Sequence, residues 1–312
     1  MIVITRETGV KVAECVTRAE IVSSTSATAG WTGLVLPDQV TDRLLHQALL
    51  SMQLRVRLPF TVTALHGLIT LYGPPGTGKT TLARGLAAEL TPYVSGHRVR
   101  LVEINPHGLM SAEHGQSQQR VTELLSEYVP SLADDRLPTV VVLDEVESMT
   151  VARSAASLSA NPADVHRATD AVLTALDDNA AAHPHLLVVA TSNFTDTLDE
   201  AFLSRSDVAI LVPLPTVEAI ERILADTLTG FSVLGPGLAD LAGSPALAEV
   251  AGLLAGADGR QTRKFVTEAM ARRLDTVLDP GSLTAADLLA AAKSWASADS
   301  VTLLHGGRRE AA

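Results

Sequence analysis

Gly73-Pro74-Pro75-Gly76-Thr77-Gly78-Lys79-Thr80 sits between the apolar run Leu68–Tyr72 and a helical pattern over Lys79–Leu90. Glycines at these spacings let successive backbone N–H groups converge on an anion at the positive end of a helix. In this pattern a lysine neutralises outer phosphates and a following hydroxyl ligates magnesium, the places held by Lys79 and Thr80. Gly73 through Lys79, with Thr80 and Thr81, are therefore expected to bind nucleotide. A glycine-rich turn before a helix would require neither the lysine nor the threonine, and it would not require the preceding strand.

Downstream, Val140-Val141-Val142-Leu143-Asp144-Glu145 is an apolar strand that ends in two carboxylates. In a parallel sheet such a strand delivers them to the carboxyl edge, beside the phosphate loop. Asp144 is then expected in the magnesium shell and Glu145 as the group that orients and deprotonates an attacking water. Leu187–Thr191 is a further apolar strand and leads into Ser192-Asn193. The Asn193 amide there fits either a turn or a neutral holder of the water or γ-phosphate. Arg205, in Asp199-Glu200-Ala201-Phe202-Leu203-Ser204-Arg205, is either a solvated surface charge or a finger reaching a neighbouring subunit's γ-phosphate. Arg260 opens a helix, where a cation is unfavourable, so it meets an external anion or is simply solvated.

The strand pattern Leu68–Tyr72, Val99–Ile104, Thr139–Leu143, Leu186–Thr191 and Val208–Val212 alternates with helical stretches that include Asp38–Leu54, Gln116–Glu127 and Ala163–Leu176. That alternation predicts an α/β fold, a parallel sheet with helices on both faces. After Pro213-Leu214-Pro215 only helical periodicity remains, over Val217–Leu228, Pro245–Leu254, Arg260–Leu278 and Ala285–Ala296. We therefore expect a short hairpin-like segment and linker over 1–30, a large nucleotide-binding domain over 31–215, a small all-helical lid over 216–300 and a flexible tail over 301–312. Alternating Ile2/Ile4 and Val10/Val12 suggest the hairpin, and Ser23–Gly30 the linker.

The chain has 312 residues, of which 46% are hydrophobic and 19% charged, so it can bury a core. Its formal charge of −11 and the absence of a long basic run disfavour nucleic acid as a partner. One cysteine, Cys15, excludes an internal disulfide, and the start MIVITRETGV lacks the form of a signal peptide. With no apolar run of about 20 residues, these features lead us to expect a cytoplasmic protein that does not engage a membrane. Aromatic residues make up only 3% of the chain, which limits any function that needs an aromatic platform.

The phosphate loop, the Asp-Glu strand, Ser-Asn, the trailing arginine and the Gly-Arg of a helical lid together resemble the elements of an AAA+ ATPase. Four finer strings, Trp31-Thr32-Gly33-Leu34-Val35, Val102-Glu103-Ile104-Asn105, Leu143-Asp144-Glu145-Val146-Glu147-Ser148 and Thr191-Ser192-Asn193, are similar to the pachytene checkpoint ATPases, also called thyroid-receptor-interactor ATPases. The likeness runs from about Trp31 to about Arg273. It implies Mg·ATP-driven homohexamers that pull a flexible segment of a HORMA-domain protein into a central pore. For the short bacterial relatives it implies regulation of CBASS anti-phage systems, by disassembling HORMA complexes with a cGAS-like nucleotidyltransferase.

By position, the resemblance makes Asn193 a first sensor, Arg205 the finger that acts in trans and Arg260 a second sensor. The Trp31–Val35 segment would lie near the adenine, although Trp31 also fits a core anchor of the linker. Two stretches depart from the family. About thirty residues precede Trp31, where eukaryotic members carry a sizeable recruitment domain. Glu113 and His114 stand where the first pore loop presents aromatics, and Arg153–Asn161 would form the second pore loop. A general AAA+ unfoldase acting on another protein shares every ATPase residue with this reading. A nucleotide-gated switch without turnover would not need Glu145 or Arg205, and a DNA-loading ATPase is disfavoured by the charge.

Overall fold

The computed structural model describes residues 15–23, 31–105, 116–133, 135–150, 162–193 and 198–304. They form two compact units: residues 1–73 with 78–212, and residues 74–77 with 213–312.

In the first unit the described order is β1 (Val16–Ser23), α1 (Asp38–Arg57), α2 (Phe60–Thr63), β2 (Leu68–Tyr72), α3 (Lys79–Leu90), β3 (Arg98–Ile104), α4 (Gln116–Thr122), α5 (Val129–Ala133), β4 (Thr139–Leu143), α6 (Pro162–Ala182), β5 (Leu186–Ser192), α7 (Glu200–Ser204) and β6 (Val208–Leu211). Helices α4 and α5 are joined by a wider helical turn, Glu123–Tyr128. The six strands lie in the order β1-β3-β4-β5-β2-β6. All neighbours from β3 to β6 pair in parallel.

The central strands are buried on both faces, and their side chains divide by alternation. Val141 and Leu143 of β4, with Val102, Ile104, Val188 and Ala190, pack on one face against Leu124, Val172, Leu176 and Phe202. Val140 and Val142, with Leu71, Leu101, Leu187 and Val189, pack on the other against Leu44, Ala48, Leu82 and Leu86. Helices α1 and α3 therefore cover one face, and α6 and α7 the other.

The sequence reading left Val16–Ser23 outside the sheet, and this is corrected. That segment is an antiparallel edge strand paired with β3, from Val16↔Ile104 to Ser23↔Arg98. Only Val22 of β1 is buried, and Arg18 and Glu20 face solvent as an ion pair at 3.6 Å. An edge strand with one buried side chain and charges along it shows no apolar alternation, so periodicity could not find it. The expected hairpin around Ile2/Ile4 and Val10/Val12 lies outside the described residues.

The second unit contains α8 (Val217–Phe231), α9 (Gly237–Ala242), α10 (Ala246–Leu253), α11 (Gly259–Met270), α12 (Leu274–Leu278) and α13 (Ala285–Leu304). Its core joins Ile220, Leu224 and Leu228 of α8 to Val250, Phe265, Val266 and Leu288. The single helix expected over Arg260–Leu278 is broken after Met270. The Thr276 hydroxyl donates to the Met270 carbonyl at 2.6 Å and the Arg273 carbonyl at 2.8 Å, satisfying groups that the break leaves open. Helix α13 continues through Leu304, past the expected tail boundary at 301; residues 305–312 lie outside the described set. No helix among the described residues is long and apolar enough to cross a membrane.

Arg55, in the last turn of α1, is 6% exposed and ties the start of β5 to the end of α6. Its guanidinium donates to the Leu186 carbonyl at 2.5 Å and to the carbonyls of Ala180 and His183 at 3.3 Å, at the end of α6. Burial pulls its pKa down to about 10, while the nearby Asp207 opposes the shift. Gly67, at φ +71, is required here because a Cβ would overlap this guanidinium. Replacing Arg55 by leucine orphans several buried carbonyls, and we expect a loss of about 2–4 kcal/mol in urea unfolding followed by circular dichroism.

Candidate functional site

The chain runs outward from β2 to β3 and β4, then returns through β5 to the side of β2, so the carboxyl ends of β4, β5 and β2 become neighbours. Ligands of open α/β sheets bind at such an edge. The phosphate loop leaves β2 there and enters α3, whose first residue is Lys79.

Within the loop, Gly73, Gly76 and Gly78 have φ of +143, +75 and +95. Any other residue would be strained in these conformations, and a Cβ on Gly73 would also overlap the Val212 carbonyl. Pro74 and Pro75 carry the bend between the first two glycines. The Thr77 hydroxyl donates to the Pro74 carbonyl at 3.0 Å, closing the turn. Lys79 is only 5% exposed, and its Nζ donates to the Gly73 carbonyl at 2.8 Å, so the ammonium lies folded over the loop. Thr81 is exposed on the first turn of α3. The segment after Trp31 reaches the same loop, since Leu34 lies against Gly78. The Trp31 indole donates to the Leu82 carbonyl at 2.8 Å and packs on the core below α3, which gives it the anchoring role.

Asp144 follows β4 directly. Its Oδ1 accepts a hydrogen bond from the Thr80 hydroxyl at 2.6 Å and another from the Thr191 hydroxyl at 2.6 Å. The hydroxyl and carboxylate expected to share a magnesium ion are thus already in contact, and hard oxygen donors of this kind fit that ion. Thr191 also accepts from the Glu145 N–H at 3.1 Å. Glu145 has φ +54 and ψ +52, the left-handed conformation that non-glycine residues seldom adopt. The Thr191 hydroxyl fastens that strained peptide, and the Glu145 side chain stands exposed at the sheet edge. Strain held in place by neighbours is a common property of functional positions.

Asn193 lies just beyond β5, where its N–H donates to Glu147 Oε1 at 3.2 Å, joining the end of β5 to the turn after Glu145. One turn along α3 from Thr80, Arg84 forms a double hydrogen bond with Glu103 of β3, and the Arg84 Nε to Glu103 Oε2 distance is 2.9 Å. That hydrogen bond raises the Arg84 pKa, and Asp144 adds a smaller attraction, so a firmly held cation borders the Asp144 carboxylate.

Arg205 lies apart from this cluster, at the carboxyl end of α7. Its guanidinium is held side-on by Asp177 of α6, at 2.7 Å from Nε and 2.8 Å from Nη2, and Nη1 donates to the Ala201 carbonyl at 2.9 Å. The hydrogen bond from Arg205 holds the Asp177 carboxyl below its usual range, with a smaller contribution from His66, whose Nε2 is 3.2 Å from Asp177 Oδ1. Arg205 is thus a supported cation rather than a loosely solvated one.

Arg260 belongs to the helical unit, in the first turn of α11. There Asp258 caps the helix, its side chain accepting from the N–H groups of Arg260 and Gln261 at 2.8 Å, and its own N–H donates to Gln261 Oε1 at 2.9 Å. The anion that compensates this helix end is therefore Asp258, so the helix end by itself does not favour an external anion over plain solvation for Arg260. Glu113, His114 and the Arg153–Asn161 loop lie outside the described residues.

The structure places Thr80, Asp144 and Glu145 together, and it adds Thr191, Arg84 and Asp177, which the sequence reading passed over. Thr191 was visible only as the first letter of Thr-Ser-Asn, and Arg84 could have been found from its spacing of one turn from Thr80. Asp177 carries no motif.

The family model described as ATPase family associated with various cellular activities (AAA) matches residues 69–214. CD-NTase-associated protein 6 of Pseudomonas aeruginosa is 44% identical over 261 residues, covering 84% of this chain and 86% of that protein. The pachytene checkpoint protein 2 homolog of Danio rerio is 40% identical over 168 residues, covering 53% of this chain but only 39% of the relative. Among solved structures, a chain of the E. coli MS115-1 HORMA:CdnC:Trip13 complex superposes with a TM-score of 0.73, covering 91% of this chain and 96% of that one at 18% identity. That last likeness is one of fold.

Changing Thr191 to valine removes the bond to Asp144 and the acceptor for Glu145 without a change in size. We expect ATP turnover to fall about 10- to 100-fold with nucleotide affinity nearly unchanged. Thr191→Ser should restore most of the rate in steady-state assays.

Proposed function

Because the chain belongs to the AAA+ ATPase family that includes CD-NTase-associated protein 6 and the pachytene checkpoint ATPases, we propose that it is an ATP-driven remodeller of a HORMA-domain protein. Its substrate would be a HORMA complex with a cGAS-like nucleotidyltransferase, and its action would regulate a bacterial CBASS defence system. The observation that carries the hydrolytic part is the shared Asp144 carboxylate, which binds the phosphate-loop helix through Thr80 and, through Thr191, the strand that leads to Asn193. The partner rests on the 44% identity to a protein named for its association with a CD-NTase, and on the fold shared with a HORMA:CdnC:Trip13 assembly.

In this proposal Gly73, Gly76 and Gly78 present backbone N–H groups to the phosphates, and Lys79 moves from the Gly73 carbonyl onto the outer ones. Magnesium held by Thr80 and Asp144 would supply charge neutralisation at those oxygens. Glu145 takes a proton from the attacking water, and Asn193 holds that water or the γ-phosphate without adding negative charge. Arg205 acts across the interface of a homohexamer, where such fingers are worth about 10³- to 10⁵-fold in rate. Asp177 gives it a fixed starting orientation. Arg260 is the sensor from the helical lid. Glu113 and His114 engage the substrate chain at the pore. The hydrolysis itself, the Mg²⁺ requirement and the cytoplasmic setting belong to the same proposal.

Glu145→Gln should bind ATP, lose turnover by at least about 100-fold and trap the HORMA complex intact in a pulldown. Unchanged ATP turnover and unchanged complex dissociation would reject the assignment. Turnover lost without any effect on HORMA complexes would leave an AAA+ unfoldase with another protein substrate. Arg205→Ala should bind ATP normally yet hydrolyse it at a background rate. Mixing Arg205→Ala with Glu145→Gln subunits should restore activity at interfaces that pair an intact finger with an intact site.

A further inference from the structure

A cavity of about 600 Å³ opens at the amino-terminal edge of the parallel strands, where Arg98 begins β3, Pro138 precedes β4 and His185 precedes β5. This is the edge opposite Asp144 and Thr191. Nothing in the proposed ATPase cycle uses it.

Three guanidinium-bearing residues line it: Arg57 from the last turn of α1, Arg98, and Arg136 from the turn before β4. All three are exposed, and none forms a side-chain ion pair among the described residues. The one lining carboxylate, Asp135, is already held by Arg100 through both oxygens, at 3.0 Å and 2.6 Å, which lowers its pKa to about 2. Its charge is thus spent on a neighbour. Arg136 stands at φ +57, a conformation rare for a long side chain, and this turn sets it at the cavity. His185 loses basicity by burial and then through the charges of Arg136 and Arg55, which reports a positive field at this edge. In a chain of net charge −11 such a local surplus is out of keeping with the rest of the composition.

Most of the remaining wall is apolar, with Gln53, Ser95 and His185 as its polar members. Leu49, Met52 and Val56 line one face of α1, and Leu137 and Pro138 lie across from them. Two of the lining apolar side chains are well exposed, Tyr93 at 62% and Val56 at 50%. A small anion would meet the arginines but leave this strip in water, whereas an extended peptide covers both.

We propose that this cavity binds an acidic peptide segment of a protein partner, with an aliphatic or aromatic side chain among Met52, Val56 and Leu137 and carboxylates against Arg57, Arg98 and Arg136. Such a site shares no residue with the nucleotide edge. The attraction is electrostatic at long range and apolar at contact, so it weakens with salt but depends on both kinds of side chain.

The test is fluorescence anisotropy with a labelled peptide of alternating Glu and Leu, set beside Gln/Leu and Glu/Ser counterparts, at low and high salt. The Glu/Leu peptide should bind at least about tenfold more tightly than either counterpart. Arg57→Glu and Arg136→Glu should each weaken binding about tenfold, with basal ATP turnover unchanged, and Val56→Ser should weaken it comparably without altering the charge. Arg98→Gln, a milder change, should give a smaller loss in the same direction and guards against a folding artefact. Equal binding of the Gln/Leu peptide, or undiminished affinity in the arginine variants, would overturn the proposal. So would inorganic pyrophosphate displacing the peptide while Glu/Ser binds as well as Glu/Leu, because the cavity would then be a site for small anions.

Discussion

The chemistry at the nucleotide edge depends on one carboxylate oxygen. Asp144 Oδ1 receives the hydroxyls of Thr80 and Thr191 at the same time, and these three residues come from the helix after β2, the end of β4 and the end of β5. The contact exists only because β4, β5 and β2 are consecutive neighbours in the sheet, although the chain visits them in a different order. It also requires their registers to hold, with Leu143 beside Ala190 and Leu71 beside Thr191. A slip of one residue in β4 would turn Val140 and Val142 to the opposite face and carry Asp144 away from both hydroxyls. The two apolar cores that grip β4 from either side are what prevent this slip.

Several arginines in this acidic chain are committed to particular structural tasks. Arg55 is buried against carbonyls, Arg84 is locked to Glu103 beside Asp144, and Arg205 lies against Asp177. A guanidinium held through two of its donors keeps its remaining N–H groups aimed in a fixed direction, so its partners select its orientation as well as stabilising its charge. Asp207 illustrates how closely these supports are joined. It accepts from Ser51 and from the N–H groups of His66 and Gly67, and it lies two residues after Arg205. His66 then reaches Asp177 with its side chain. The corner that carries Arg205 is therefore secured through β2 as well as through α6.

The parallel sheet and the nucleotide loop were legible because their signals are local. Val140–Leu143 has no polar interruption, and the loop requires glycine at fixed spacings. Thr191, Arg84 and Asp177 were not legible because their roles come from pairings of distant residues, 47, 19 and 28 positions apart in sequence. The edge strand Val16–Ser23 was missed for the opposite reason. It buries only Val22, so it leaves no apolar periodicity, and its place is set mainly by backbone pairing with β3. The break after Met270 was missed because Thr276 stabilises it with a hydroxyl, a cue that helical periodicity does not register.

A parallel sheet has two distinct edges, and this one places different chemical groups at each. Strands β2, β4 and β5 end among hydroxyls, carboxylates and the phosphate loop, which together suit a phosphorylated ligand and a cation. Strands β3, β4 and β5 begin beside arginines that form no ion pair among the described residues and beside exposed apolar side chains, where α1 contributes both kinds of group from adjacent turns. Between the two edges, β4 and β5 are buried along their whole length, so a displacement at one end is carried through packed side chains rather than absorbed by solvent. Arg55 reinforces that coupling at the amino-terminal edge by binding the start of β5 and the end of α6, the helix that also carries Asp177. The helix that supports Arg205 is thus anchored beside the arginine-lined cavity, and the two edges share one continuous, closely packed connection.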